Sequence, residues 1–186
     1  MSQEAVLNSV DASQLRRAFG QFATGVTVVT TQGTDGKAYG AMVTAFAAVS
    51  EDPPLAQITL TRSSKAAKHL DGSSFAINVL SADQVEVARH FSGQPSDCEP
   101  ECVLSGDVPV LVGNAATLEC RAWNNYDGGD HIIVVGEVRS LTVGDADPLL
   151  FHEGAFHQIG GRLGDGQDDS WFAGAKFFQP IVPQEH

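Results

Sequence analysis

The chain has 186 residues, a length that suits one domain with short extensions and can bury roughly 70% of the unfolded surface without disulfide or metal staples. Its formal net charge of −12 argues against nucleic acid as a partner, because phosphates call for a basic surface. Three cysteines (Cys98, Cys102 and Cys120) fit no disulfide framework and point to a reducing cytoplasm, and we read neither a signal peptide nor the ~20-residue apolar run of a membrane span.

Residues 1–10 read as a frayed terminus. Asp11 stands three residues before Gln14, and Leu15, Ala18, Phe19 and Phe22 follow at helical spacing, so a helix is expected over 12–22. The β-branched run GVTVVTT (25–31) predicts a strand, GTDG (33–36) a tight turn, and the residues from Ala38 to Ser50 a second, longer strand. Pro53-Pro54 ends it, since neither residue can donate to a ladder.

LAQITLT (55–61) predicts a third strand and SSKAAKHLDG (63–72) a short helix with serine before it and Gly72 beyond it. SFAINVLS (74–81) is an apolar strand interrupted by Asn78. Ser81 and Gln84 then make a capping box, so a helix over 82–92 should begin as the strand ends. Prolines, glycines and acids over 93–108 predict a long surface loop.

Two longer strands, about 113–125 and 131–143, are joined by a turn at Asp127-Gly128-Gly129. IIVV (132–135) is apolar on successive residues, so both faces of that strand should be covered, as in a closed barrel or a dimer core. PLLFHEGAFHQIG (148–160) reads as a closing segment. The glycine- and acid-rich stretch 160–170 and the apolar stretch 171–182 read as a linker and tail, setting a domain of residues 1–159 apart from 160–186. Strands at irregular spacing with short helices and no βαβ alternation predict a mainly β, mostly antiparallel barrel. No strand-to-helix junction carries the glycine fingerprint of a doubly wound nucleotide fold.

RSSK (62–65) places two hydroxyls and two cations where a helix begins, in a chain with only 11 lysines and arginines. Helix N-termini favour anions, so this is either a phosphate site or an ordinary serine cap with solvated cations. GDH (129–131) puts His131 at the mouth of a strand, as a ligand-contacting rim residue or as an exposed turn histidine. His152 and His157 are five apart, wrong for one helical face, and Cys98 and Cys102 lack a second pair, so no metal site is expected. Asn78 reads as a structural amide serving neighbouring backbone groups. There is no nucleophile elbow and no Walker loop.

Taken in order, RRAFGQFATGVTVVTT, the strand to VSEDPPL, LTRSSK, SFAINVLSADQ, YDGGDHIIVVGEV and PLLFHEGAF make a sequence that resembles the flavin reductase family, over roughly residues 12–158. The resemblance implies the FMN-binding split-barrel fold and an NAD(P)H-dependent flavin oxidoreductase that uses FMN or FAD with NADH or NADPH. It also implies a homodimer, and a partner monooxygenase supplied with reduced flavin. It implies that Met42, Val43, Thr44, Ala45, Ala47 and Ala48 line the flavin ring and that Thr61, Arg62, Ser63, Ser64 and Lys65 hold the phosphate end. Asn78 would lie under the flavin site and Phe156 near the same pocket, across a dimer. His131 would meet the nicotinamide as an orienting hydrogen-bond donor, not an essential base.

Two features depart from the family pattern. Alanines stand at 45, 47 and 48 where hydroxyl and amide side chains are usual, and the 93–108 loop lacks the family's aromatic residues. They keep two alternatives in view: a flavin-binding or carrier protein without reductase turnover, and a split-barrel flavoprotein acting directly on an organic substrate.

Overall fold

Alternation along a strand sends neighbouring side chains to opposite faces, and in the run VTVVTT both faces are covered. Val28 and Val29 are each 0% exposed. Val29 packs with Ile58, Leu60, Phe75, Ile77 and Val134, whereas Val28 packs with Val26, Leu80, Ala88, Leu111 and Leu149. One strand therefore separates two cores, the interior of a curled sheet and a layer outside it.

A computed structural model describes residues 10–70 and 72–161. In chain order the elements are α1 (Ala12–Gly20), β1 (Thr24–Gly25), β2 (Thr27–Gln32), β3 (Ala38–Val43), β4 (Phe46–Glu51), β5 (Pro54–Thr61), a 3₁₀ turn (Ala66–His69) and β6 (Ser74–Val79). There follow α2 (Val85–Phe91), β7 (Cys102–Ser105), β8 (Val108–Leu111), β9 (Ala116–Gly128), β10 (His131–Val143), β11 (Leu150–His152) and β12 (Ala155–His157). Seven strands form one sheet in the order β3-β2-β6-β9-β10-β5-β4, with smaller sheets β1-β11-β12 and β7-β8. Every strand pairing is antiparallel. This is the expected mainly β class, with the split-barrel layout.

The segment 38–50, expected as one strand, is two. β3 pairs with β2 at one edge of the large sheet, and β4 pairs with β5 at the other. The step at Thr44-Ala45 carries the chain across the gap between the edges, where Thr59 N donates to Ala45 O at 3.0 Å. Neither residue is a glycine or proline, so composition does not mark the break.

Other boundaries shift for local reasons. Asp11 caps α1 as expected, its carboxylate accepting from Ser13 N and Gln14 N. The 63–72 segment makes a 3₁₀ turn of four residues in place of an α-helix. α2 begins at Val85, after a turn in which Gln84 Oε1 accepts from Ser81 N at 2.9 Å while Gln84 Nε2 donates to Val112 O. One of the two expected hydrogen bonds thus forms, ahead of the helix, and the same amide ties the residue after β8 to the junction. The expected 93–108 loop yields the β7 strand and the first residue of β8. The expected disposition of residues 1–9 and of the 162–186 part of the tail lies outside the described residues. Among the described residues no helix is long and apolar enough to cross a membrane, and no group of three or more His, Cys, Asp and Glu could hold a metal.

Candidate active site

β5 and β10 are neighbours in antiparallel register, with His131 opposite Thr61 and Ile133 opposite Thr59. Ile58, Leu60 and Val134 pack into the barrel, so the alternating residues Thr59, Thr61, His131 and Ile133 line a surface cleft of about 540 Å³. Ala41, Met42 and Val43 from β3 and the step at Thr44-Ala45 line it too. Ser64 stands at one end and Phe19 of α1 at the mouth. The lining is largely apolar, with the hydroxyls of Thr44, Thr59, Thr61 and Ser64 spread around it.

His131 sits where the β9–β10 turn meets the cleft. Its Nδ1 is 2.6 Å from Asp130 Oδ1 and its Nε2 is 3.4 Å from Thr61 Oγ1. The hydrogen bond from His131 holds the Asp130 carboxyl below the usual carboxylate range, and an ionised carboxylate only accepts. Nδ1 therefore carries the proton toward Asp130, and in the neutral ring Nε2 faces the cleft as an acceptor. Both side chains are exposed, so the pair orients the ring more than it stabilises the fold. The arrangement is one of alignment: an apolar slot, hydroxyls along its walls and a fixed imidazole at its rim.

Residues 19–160 match the flavin reductase like domain. The chain belongs to this family. It is 41% identical over 151 residues to the NADH-dependent FMN reductase SmoA of Agrobacterium fabrum, covering 78% of this chain and 85% of the relative. It is 34% identical over 158 residues to HsaB, the reductase subunit of a flavin-dependent monooxygenase from Rhodococcus jostii, covering 81% and 80%. The structure superposes, with a TM-score of 0.74 and 36% identity, on the NADH:FAD oxidoreductase SgcE6 of Streptomyces globisporus solved with NAD and FAD fragments, covering 85% and 96%.

Of the residues singled out from the family's motifs, the cleft gathers Met42, Val43, Thr44, Ala45, Thr61, Ser64 and His131. Ala47 and Ala48 lie outside it. They are exposed on the edge strand β4, opposite Gln57 and Ala56. Phe156 lies in a second cleft of about 510 Å³ with Arg89 and Phe151, which meets the first at Met42. Asn78 is 0% exposed and lies outside the residues that line the cleft. Its Nδ2 donates to Val28 O and Thr30 Oγ1, each at 2.9 Å, and its Oδ1 accepts from Leu111 N and Asn114 Nδ2, each at 3.0 Å.

The 62–65 stretch leaves the cleft as a surface segment. Ser64 Oγ accepts from Ala67 N at 3.1 Å, and Ser63 and Lys65 are exposed. With four residues of 3₁₀ turn behind it, the helix-dipole part of the anion argument falls away, because that dipole needs a run of aligned peptides. Arg62 is engaged with the β9–β10 turn, through Nε to Gly129 O at 2.9 Å and Nη2 to Asp127 Oδ1 at 3.2 Å.

The cleft also contains residues that the motifs did not mark: Phe19, Ala41, Thr59, Leu60, Gly128 and Ile133. Thr59 and Ile133 stand two residues from Thr61 and His131, so strand alternation would have found them once β5 and β10 were paired. Phe19 carried no such signal. None of the residues of α1 is buried, and only the tertiary arrangement brings this one to the mouth.

Proposed function

We propose that the chain is an NADH-dependent flavin reductase that transfers hydride to FMN or FAD. The observation that carries this reading is the cleft between β3 and β5–β10, an apolar slot with His131 fixed at its rim. Its volume of about 540 Å³ falls in the range of ~300–1,000 Å³ common for small-molecule sites. Ala45 and Ile133 suit the faces of a flat heterocycle. Thr44, Thr59, Thr61 and Ser64 offer hydroxyls to its polar edge and side chain, and of the alanines at 45, 47 and 48 only Ala45 lies in the cleft.

A bound flavin supplies a ring that accepts hydride from a stacked nicotinamide, and such chemistry asks the protein for alignment and exclusion of water. The chain's residues match that demand. The strand walls orient the ring, and Ser63, Ser64 and Lys65 stand where a phosphate-bearing tail would leave the cleft. His131 Nε2, with Nδ1 committed to Asp130, accepts a hydrogen bond from the nicotinamide carboxamide instead of donating one.

The cleft is open enough for reduced flavin to depart, which supports supply to a separate monooxygenase, as in the relative that is a monooxygenase subunit. A homodimer is supported by the unburied α1, whose Leu15 and Phe19 are exposed at 41% and 69%. The free cysteines suit the cytoplasm.

The test is NADH oxidation followed at the nicotinamide absorbance band, with FMN and FAD in turn, beside a flavin fluorescence titration. Turnover with either flavin supports the reading. Tight flavin binding without oxidation of NADH or NADPH would instead mark a carrier.

A further inference from the structure

Arg62 follows the last residue of β5, and its side chain and backbone N both turn to the β9–β10 hairpin. Its backbone N donates to Asp130 O at 3.2 Å, its Nε to Gly129 O at 2.9 Å, and its Nη2 lies 3.2 Å from Asp127 Oδ1. Three donors on one residue thus grip Asp127, Gly129 and Asp130, at the tip of the β9–β10 hairpin. The turn caps the β9–β10 hairpin, whose last ladder pairs are Ile132 with Asp127 and His131 with Gly128. Asp127, Gly128, Gly129 and Asp130 are all exposed, and Gly129 adopts a φ of 77°, a backbone state with the conformational freedom of glycine. Within the tip, Gly129 N donates to Asp127 Oδ1 at 2.8 Å, the same oxygen that Arg62 meets.

From this turn Asp130 reaches His131 Nδ1 at 2.6 Å. The connection therefore runs from Arg62 through the turn to Asp130 and to the imidazole at the cleft rim. A planar guanidinium can serve a carbonyl and a carboxylate at once, which an ammonium cannot do in the same geometry. Nε and one Nη2 donor, two of the five guanidinium N–H groups, are committed to the turn and fix the plane of the group against it.

We infer that Arg62 is a positioning residue for His131, clamping the β9–β10 turn to the end of β5, and is not the ligand of the flavin phosphate. This inference rests on the flavin reductase reading for its kinetic consequences. The Asp127 carboxyl is held below the usual carboxylate range, first by the Gly129 amide and then by Arg62, which agrees with the contact.

The experiment compares Arg62→Ala, Arg62→Lys, Asp127→Ala and the Arg62→Ala/Asp127→Ala double variant with the parent. Steady-state kinetics give KM for NADH and kcat. Fluorescence titration gives Kd for FMN and for riboflavin, and hydrogen exchange reports on residues 127–133. Arg62→Ala is expected to raise KM for NADH about tenfold with kcat within about threefold, the size of one lost charge-assisted hydrogen bond. It should leave the FMN-to-riboflavin Kd ratio at the parent's value and speed exchange in the turn. Arg62→Lys should not rescue KM, and the double variant should be no worse than Arg62→Ala, since both changes break one clamp.

An FMN Kd raised tenfold with riboflavin unchanged would overturn the inference. So would tighter FMN binding in Asp127→Ala, where the arginine is released, or unaltered exchange in Arg62→Ala. Should Arg62→Ala fail to fold, Asp127→Ala decides by the same three readouts. If the parent itself oxidises no NADH, the functional reading fails, and the exchange measurement still judges the clamp.

Discussion

Thr61 and His131 face each other as the last paired residues of β5 and β10, with the threonine hydroxyl 3.4 Å from the imidazole Nε2. One wall of the cleft and its rim are thus set by a single rung of an antiparallel ladder. The imidazole is held from behind by Asp130 and presents its remaining nitrogen to the slot.

Replacing His131 by alanine removes that nitrogen without touching the apolar walls. KM for NADH should rise about tenfold, the effect of one hydrogen bond to the nucleotide, while flavin Kd changes by less than about twofold. Identical kinetics for His131→Ala and the parent would take His131 out of the nicotinamide site.

Lys65 is exposed beside Ser64 at the end of the cleft. If the flavin tail leaves there, Lys65→Ala should weaken FMN about tenfold and riboflavin hardly at all, because a charged hydrogen bond contributes about 1.5–3 kcal/mol. Titrations with both flavins, at two salt concentrations, measure this. Equal weakening of both would remove the phosphate from this segment.

Asn78 should matter to folding and not to flavin. Its amide serves four partners on β2, β8 and the loop before β9, so Asn78→Ala takes a hydrogen-bond partner from Val28 O and Leu111 N in the interior. A loss of about 2–4 kcal/mol is expected, which lowers Tm by about 5–15 °C for a chain of this length. Flavin Kd measured well below Tm should match the parent. A large flavin defect with an unchanged Tm would refute this assignment.

Cys120 is 2% exposed, and burial pushes its thiol from 9.0 up to about 12. The fold therefore favours the neutral thiol. Its contribution is intact below the unfolded value and is lost as pH rises toward the folded one, with a slope of up to about 1.4 kcal/mol per pH unit. Chemical denaturation at pH 8 and pH 10 should show lower stability at the higher pH, and Cys120→Ala should flatten that slope. Native-state alkylation should reach the exposed Cys102 and spare Cys120. Fast labelling of Cys120 in folded protein would contradict its burial.

Much of this architecture is legible in local pattern. The run at 25–31 reads as a strand because β-branched residues fit a pleated, crowded environment. The two long strands follow from apolar runs and glycine chemistry, although the turn expected at 127–129 falls at Gly129-Asp130, because Asp127 and Gly128 pair with Ile132 and His131. Asp11 caps α1 as its pattern implies, whereas Gln84 bonds Ser81 N in the turn before α2 and makes no side-chain cap of that helix. What local pattern misplaced are the choices made by distant partners. Residues 38–50 carry one strand-like pattern throughout, yet β3 and β4 lie at opposite edges of the sheet, because curling of the sheet decides where the chain must cross. Ala47 and Ala48 leave the cleft for that reason, while Thr59 and Ile133 enter it by pairing.

The amino-acid order by itself determined the strand-forming runs, the turns between them and the family to which the chain belongs, since these rest on backbone preference and on motifs a few residues long. Only the tertiary structure decided that Arg62 spends its hydrogen bonds on the β9–β10 turn, that Asn78 is sealed inside, and that Phe156 sits in a second cleft. Those outcomes depend on which groups meet across tens of residues, and a side chain's hydrogen-bonding capacity is claimed by whichever partner the packing brings within reach.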